Sequence, residues 1–236
     1  MPAKSQRRWL IVPAVVIAAV ISTVVAAGHG SDPTPARVGL PVLAQPQPTP
    51  SRVAPDVHWD SSLGVRLPVS QRNGPRLLKA GRASGFTRTQ AGAALAAANL
   101  VPRTSPNVGP AIFGVTLSEQ VRGPNRMAMA RLVAAEYELQ RQRSGVPEGS
   151  RLPGADAELL GYAGAGVGAD GTHATVQLAL TSPDLRATDR LLVVFVSLQW
   201  ADGDWQLIAP PQGDWGNVSN IETTPPSALR TFGEGV

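Results

Sequence analysis

The sequence predicts an α+β domain held behind one N-terminal transmembrane helix, with helices packed on a curved antiparallel sheet of about four strands. The first observation behind this prediction is an uncharged apolar run, residues 9–27. The second is a helical period in the middle of the chain, and the third is a two-residue period from Glu158 onward, typical of strands. Helices followed by a meander of strands define the α+β class.

The apolar run has the length of a membrane span. At about 1.5 Å per residue it covers roughly 28 Å as a helix, close to the hydrocarbon core of a bilayer. Residues 1–8 carry only basic charges, so we expect them to stay in the cytoplasm. The chain after the run then lies outside the cytoplasm, attached to the cell membrane by a single pass.

A cleaved signal peptide is the alternative interpretation of the same run. The small residues at Val25–Ala27 would serve as a cleavage signature. The run is longer than the apolar region of most signal peptides, which favours an uncleaved anchor. Both interpretations place the following domain outside the cytoplasm.

Residues 28–57 are predicted to be a linker, because they are rich in proline and show no hydrophobic period. The ordered domain is expected over residues 58–236, with an irregular lead-in from Trp59 that packs on the domain through its apolar side chains. The chain contains no cysteine. Its stability must therefore come from a packed core rather than from disulfides.

The first helix of the domain is predicted from Thr87 and Gln90, whose spacing is that of a capping box. One helical face then carries four apolar residues, Ala91, Ala94, Leu95 and Ala98. Because alanine permits close approach, we expect this helix to lie against the sheet, and Pro102 is expected to end it.

Two further helices are predicted. A short one is expected within residues 106–121, and the longest over residues 125–143. Gly145 and Pro147 follow the longest helix and are expected to end it.

Four strands are predicted in the second half of the domain. They are expected over residues 158–167, 172–181, 191–200 and 205–208. The third is almost wholly apolar, so it should lie in the centre of the sheet. Asp202 and Gly203 predict a tight hairpin turn before the fourth strand. A curved sheet of this kind wrapped over helices resembles the NTF2-like cone, which also houses the periplasmic domains of VirB8-type secretion proteins.

No catalytic constellation is found, and we expect neither a cofactor nor a metal. Residues 166–171 match GxGxxG, but a strand follows them instead of a helix, which indicates a tight glycine turn and no nucleotide site. The three histidines, His29, His58 and His173, are scattered and have no thiol to help them bind a metal. The sequence therefore favours a non-enzymatic protein.

A possible interaction surface is predicted from charge and aromatic residues. The acid-free run 71–90 contains five cations, Arg72, Arg76, Lys79, Arg82 and Arg88. A solvated face or a phospholipid contact explains such a run better than nucleic acid does outside the cytoplasm. Trp59 and Trp215 are included in this surface with the five cations. Four tryptophans could line a groove for a peptide or glycan, although they more often serve as packing residues: Trp59, Trp200, Trp205 and Trp215.

Charge is also distributed unevenly along the chain. Residues 61–131 are strongly basic and residues 132–236 are acidic, within a net charge of +4. A bipolar domain could dock a partner end to end. The alternative is that the two signs mix once the chain has folded.

Several local strings resemble one group of proteins. They are Trp59, Leu67–Ser70, Asn73–Pro75, Ala83–Ala98 and Trp200–Trp205, joined to the basic N-terminus, the single span and the proline-rich spacer. Together they resemble uncharacterised membrane-anchored proteins of actinomycete integrative and conjugative elements. The resemblance implies a structural component of a conjugation or type IV secretion apparatus, with protein partners and a possible homo-oligomer. An envelope domain that binds a small ligand or glycan in a pocket is the alternative function.

Overall fold

The computed structural model describes residues 56–154, 157–226 and 229–233. The predicted anchor, residues 9–27, and all but the end of the predicted linker lie outside the described residues. Within the described part of the chain, no helix is both long and apolar enough to cross a membrane.

The described chain is an α+β domain. Its elements in chain order are β1 (Val57–Asp60), β2 (Leu67–Ser70), β3 (Leu77–Lys79), β4 (Arg82–Ser84), α1 (Gln90–Arg103), α2 (Pro110–Glu119), β5 (Val121–Arg122), α3 (Arg126–Ser144), β6 (Glu158–Val167), β7 (His173–Thr181), α4 (Pro183–Arg186), β8 (Leu191–Ala201), β9 (Asp204–Ile208) and β10 (Ser219–Glu222). Short 3-10 turns precede α2 and β10.

The main sheet has six strands and is mixed. Its order is β5-β9-β8-β7-β6, and β10 pairs with the first part of β8 beyond the end of β9. The strand β5 runs parallel to β9, with Val121 opposite Leu207, and the other pairings are antiparallel. The central position predicted for residues 191–200 is confirmed, since β8 has neighbours on both sides.

The expected cone of about four antiparallel strands is therefore wrong in the number of strands and in their direction. The four predicted strands exist as β6 to β9, but β5 and β10 join the same sheet. Both are short, with two and four residues, so neither carries a measurable period. Their pairing is with strands distant in the sequence, which local patterns do not report.

Helix α1 is the centre of the core. All residues from Ala93 to Ala98 are fully buried. This is because α1 packs against β6 to β9 of the main sheet, against β2 and β4 before it, and against α2 after it. The expectation that an alanine-rich helix packs against the sheet is confirmed.

The predicted cap of α1 is wrong by two residues. Thr89 is the N-cap, and its hydroxyl accepts a hydrogen bond of 3.1 Å from the backbone N–H of Gly92. The hydroxyl of Thr87 donates instead to the side chain of Asn73, at 2.9 Å. Tertiary contact with the preceding turn thus takes Thr87 out of the helix. Pro102 lies inside the last turn of α1 instead of ending it.

The remaining helix and turn predictions agree closely with the structure. Helix α3 ends at Ser144, and the following C-cap residue, Gly145, adopts the left-handed conformation at φ 65°. Asp202 and Gly203 both have positive φ, 54° and 82°, which is the geometry of the predicted hairpin turn.

The ends of the domain are more regular than expected. The predicted irregular lead-in forms two hairpins, β1–β2 and β3–β4. Near the C-terminus, Arg230 forms a backbone bridge to Tyr162 on β6. Phe232 is then buried against the rings of Tyr162 and Trp59, at centroid distances of 4.8 and 6.5 Å.

Candidate interaction surface

The hairpin β3–β4 lies on helix α2 through its inner strand. The amide side chain of Gln120 donates to the carbonyl of Ala83 at 2.7 Å, and its oxygen accepts from the N–H of Ala83 at 3.4 Å. At the turn, Gly81 approaches so closely that an added Cβ would lie 2.8 Å from the carbonyl oxygen of Ala111. These contacts fix β4 and leave β3 as the outer strand.

Strand β3 is exposed along its whole length. Leu77 is 46% exposed and Leu78 is 40% exposed. Because successive side chains of a strand point to opposite faces, the two leucines leave both sides of β3 apolar and open to solvent. Full burial of a leucine is worth roughly 1.5–3 kcal/mol, so much of that free energy is unused in the isolated domain.

Cations surround the two leucines. Arg76 and Lys79 are exposed, and neither forms an ion pair with any residue in the described ranges. Arg82 is opposite Lys79 and forms an ion pair of 2.5 Å with Glu119 on α2. We call residues Arg76–Lys79 together with Arg82 the basic hairpin surface. It combines exposed apolar area with positive charge that is only partly neutralised.

Arg72 and Arg88 lie outside this surface. Arg72 is an exposed residue of the turn after β2, where its backbone N–H donates to Asp56 at 3.3 Å. The guanidinium of Arg88 donates to the carbonyls of Asp170 and Gly171, at 2.9 Å each, and lies 5.8 Å from the Trp200 ring centroid. Arg88 thus holds the glycine turn between β6 and β7 and serves the fold.

Trp59 and Trp215 are both half-buried packing residues. Trp59 contacts the core, and the guanidinium carbon of Arg66 lies 5.0 Å from the centroid of its ring. The indole N–H of Trp215 donates to the hydroxyl of Thr104 at 3.1 Å. The structure therefore does not bring these two predicted residues to the basic hairpin surface.

A polar depression is lined in part by Glu119, the residue that pairs with Arg82 of the hairpin. It is open to solvent, has a volume of about 520 Å³, and is lined by Ser118, Glu119, Val121, Arg122, Gly123, Arg126, Gln199 and Gln206. Its arginines are already bound within the chain. Arg122 contacts the side chains of Asp202 and Gln206, and Arg126 donates to the carbonyl of Ser118 at 2.9 Å.

Sequence reasoning found the cations of the hairpin and missed its leucines. The signal was present, because Leu77 and Leu78 stand side by side within the acid-free run. A pair of adjacent leucines in a strand cannot both face one core, since they point to opposite sides. That rule exposes one of them unless both faces of the strand are covered, as they are at Leu191 and Leu192 of β8.

These features define the chain as an α+β domain with an exposed basic hairpin. The chain belongs to the family described as Domain of unknown function (DUF8175), whose model matches residues 22–225. No curated protein and no solved structure matches the chain. The matched range includes the basic hairpin surface and the whole six-stranded sheet.

Proposed function

We propose that this protein is a membrane-anchored, non-enzymatic assembly component that acts through protein contacts of its domain, residues 58–236. The observation that carries the proposal is strand β3, which exposes leucine on both faces between Arg76 and Lys79. Exposed apolar area beside arginine is typical of surfaces that bind other proteins. The domain lies outside the cytoplasm, and the anchor is the apolar run 9–27.

The partner that fits this surface has an acidic rim around an apolar pocket. Leu77 and Leu78 supply the area that is desolvated on binding, and the cations beside them steer an acidic partner toward the hairpin. The conjugation or type IV secretion apparatus is the assembly that the sequence resemblance implies, and its envelope subunits are the proposed partners.

The proposed membrane attachment would favour this role. The carboxylate of Asp56, just before β1, accepts hydrogen bonds from the Ser70 hydroxyl and from the N–H of Arg72. The start of β1 therefore lies beside the turn that leads into the basic hairpin. A partner in the same membrane meets the hairpin at a raised effective concentration, so a small surface is sufficient.

A small ligand or glycan in a pocket is less well supported. The depression beside Glu119 is open, and its two arginines are bound to Asp202, Gln206 and Ser118 of the same chain. Ligand sites are usually enclosed and mostly apolar, with a few polar groups free to orient the ligand.

The test is charge reversal on the hairpin in the full chain. The variant Arg76→Glu/Lys79→Glu is compared with Arg143→Glu, which reverses an exposed charge at the end of α3. After chemical crosslinking in membranes of the native host, partners are identified by mass spectrometry. We expect recovery of envelope assembly subunits to fall roughly tenfold in the hairpin variant, the effect of about 1.4 kcal/mol, and to persist in the control. Equal recovery from both variants would rule out the hairpin as the docking surface.

A further inference from the structure

Helix α3 carries a second apolar stripe beside the one that it buries. The buried stripe is Met129, Val133 and Tyr137. The second stripe consists of Ala128, Leu132, Ala135 and Leu139, at intervals of four, three and four residues. This spacing keeps the four residues on one side of a helix and is the spacing by which two helices pair along their length.

The second stripe is open to solvent. Leu132 is 48% exposed and Leu139 is 43% exposed, and Ala135 between them is exposed as well. Ala128 is half-buried, because the turn at Gly213 packs on the backbone beside it. The two largest side chains of the stripe therefore leave nearly half of their surface open to solvent.

The order of small and large residues makes the stripe complementary to itself. Consider two antiparallel α3 helices whose contact has its midpoint between residues 133 and 134. In this arrangement Leu132 faces Ala135 of the second copy. Leu139 then faces Ala128 of the second copy, so every layer contains one leucine and one alanine. A parallel pair would put leucine on leucine and alanine on alanine, which gives layers of unequal thickness.

The charges beside the stripe fit the same arrangement. Arg131 and Glu138 flank it on one side, and both are accessible to solvent. In the antiparallel pair, Arg131 of each copy lies next to Glu138 of the other, so the two-fold axis creates two ion pairs. Glu138 already contacts Arg141 of its own helix at 2.9 Å. In the pair it would contact both this Arg141 and Arg131 of the second copy.

We propose that two copies of this chain associate through an antiparallel pair of α3 helices, with the stripe Ala128–Leu132–Ala135–Leu139 at the contact. One stripe of about three turns buries less than the roughly 1,200–2,000 Å² of a stable interface. The pair is therefore weak in dilute solution and forms when both copies are held in one membrane. The inference rests on the proposed membrane attachment, but none of its residues belongs to the basic hairpin surface, so it is independent of the docking role proposed for the hairpin.

The absence of cysteine from the chain makes the pairing directly testable by disulfide formation. Full-length Ala128→Cys and Leu139→Cys variants with different tags are expressed together and separately, and membranes are oxidised. In the antiparallel pair the two positions face each other. Residue 128 of one copy lies eleven residues, about 16 Å along the helix axis, from residue 128 of the other copy. The same distance separates the two copies of residue 139, so neither single variant can form a disulfide with itself in this pair. We expect a mixed disulfide at least tenfold above the homodimers of the separate variants, and no product from Ala134→Cys, which lies off the stripe.

Charge exchange supplies an independent check. Arg131→Glu in both copies should reduce the mixed disulfide several-fold, and adding Glu138→Arg should restore it, because the ion pairs are then exchanged. Arg76→Glu/Lys79→Glu should leave the yield unchanged. The proposal is overturned if a folded chain gives no mixed disulfide, or if single-cysteine variants crosslink equally well by themselves. Protection of the cysteines from maleimide without crosslinking would also overturn it, since something other than a second copy would then cover the stripe.

Discussion

At the scale of single residues, Asp204 joins two distant parts of the domain. Its carboxylate accepts hydrogen bonds from the backbone N–H groups of Gly85 at 2.7 Å, Phe86 at 3.1 Å and Trp205 at 2.9 Å. The indole of Trp205 also donates to the carbonyl of Thr87, at 2.9 Å. The hairpin β8–β9 is thereby fixed to the segment that leads into α1.

Removal of this carboxylate should destabilise the domain. Asp204→Ala leaves three backbone N–H groups without their acceptor, and we expect a loss of roughly 1–3 kcal/mol in the free energy of unfolding, measured by denaturant titration. Asp184→Ala, an exposed acidic residue in the first turn of α4, should cost less than about 1 kcal/mol. Equal losses in the two variants would contradict the bridging role of Asp204.

The protonation of Asp204 predicts how the free energy of unfolding of the domain depends on pH. Burial raises the pKa of Asp204 above its ordinary value of 3.8, against the opposing effect of the hydrogen bonds from Gly85, Trp205 and Phe86. As pH falls through the raised pKa, the folded state takes up a proton before the unfolded state does. The contribution of Asp204 to the free energy of unfolding therefore increases toward acid and is lost as pH rises through the folded pKa.

Comparison with a variant that does not titrate isolates this contribution. The free energy of unfolding of the wild-type chain minus that of Asp204→Asn should be larger near pH 4 than at pH 7. Urea titrations of both chains at a series of pH values measure the difference. A difference that is constant with pH, or that changes in the opposite direction, would contradict the raised pKa.

At the scale of elements, the turn at residues 211–213 packs directly on helix α3. A Cβ added to Gly213 would lie 2.2 Å from the backbone nitrogen of Met129. Gly203, in the β8–β9 turn, has a similar positive φ of 82° against 78°. Apart from its chain neighbours, no atom of the described residues lies within 4 Å of its position for a Cβ. The two glycines therefore share the conformational cost of substitution and differ only in close contact.

Alanine substitutions at these two glycines should separate conformation from packing. Gly203→Ala should cost about 1 kcal/mol for the positive φ alone. Gly213→Ala should cost roughly 1–3 kcal/mol more, because the turn must move away from α3. Thermal unfolding followed by circular dichroism measures both losses, and similar values for the two variants would show that the close approach is unimportant.

Elements with a long period were predictable, whereas the short strands β5 and β10 were not. Helix α3 and strands β6, β7 and β8 were located within about two residues, since each carries many periods of its pattern. The cap of α1 was misplaced because two threonines compete for the same role, and only the contact of Thr87 with Asn73 decides between them. Strands β5 and β10 exist through pairing with β9 and β8 and carry little pattern of their own.

At the scale of the whole molecule, the charges of the two halves are partly mixed by folding. Arg122 from the basic half contacts Asp202 from the acidic half, and Arg88 is held by carbonyls of the turn 168–172. Arg76 and Lys79 form no such pair with any residue that the structure describes. The candidate surface was thus predictable as a basic run, but folding decides which of its cations stay available.

Membrane attachment is predicted for the full chain. When an N-terminal and a C-terminal tag are added, both should be detected on one band that stays in the membrane pellet after washing with alkaline carbonate, because an uncleaved apolar helix is held by the bilayer. Deletion of residues 9–27 should release the chain. Recovery of a shorter, soluble product with the C-terminal tag alone would instead indicate cleavage of a signal peptide.

The central claim is that the basic hairpin surface binds another protein, and site-specific photo-crosslinking tests it most directly. A photoreactive amino acid replaces Leu78 in the full chain, in membranes of the native host, and Thr188 serves as an exposed control position. We predict a discrete protein adduct from position 78 that is lost on adding Arg76→Glu/Lys79→Glu and is absent at position 188. Adducts with lipid alone, or a protein adduct that survives the charge reversal, would contradict the claim.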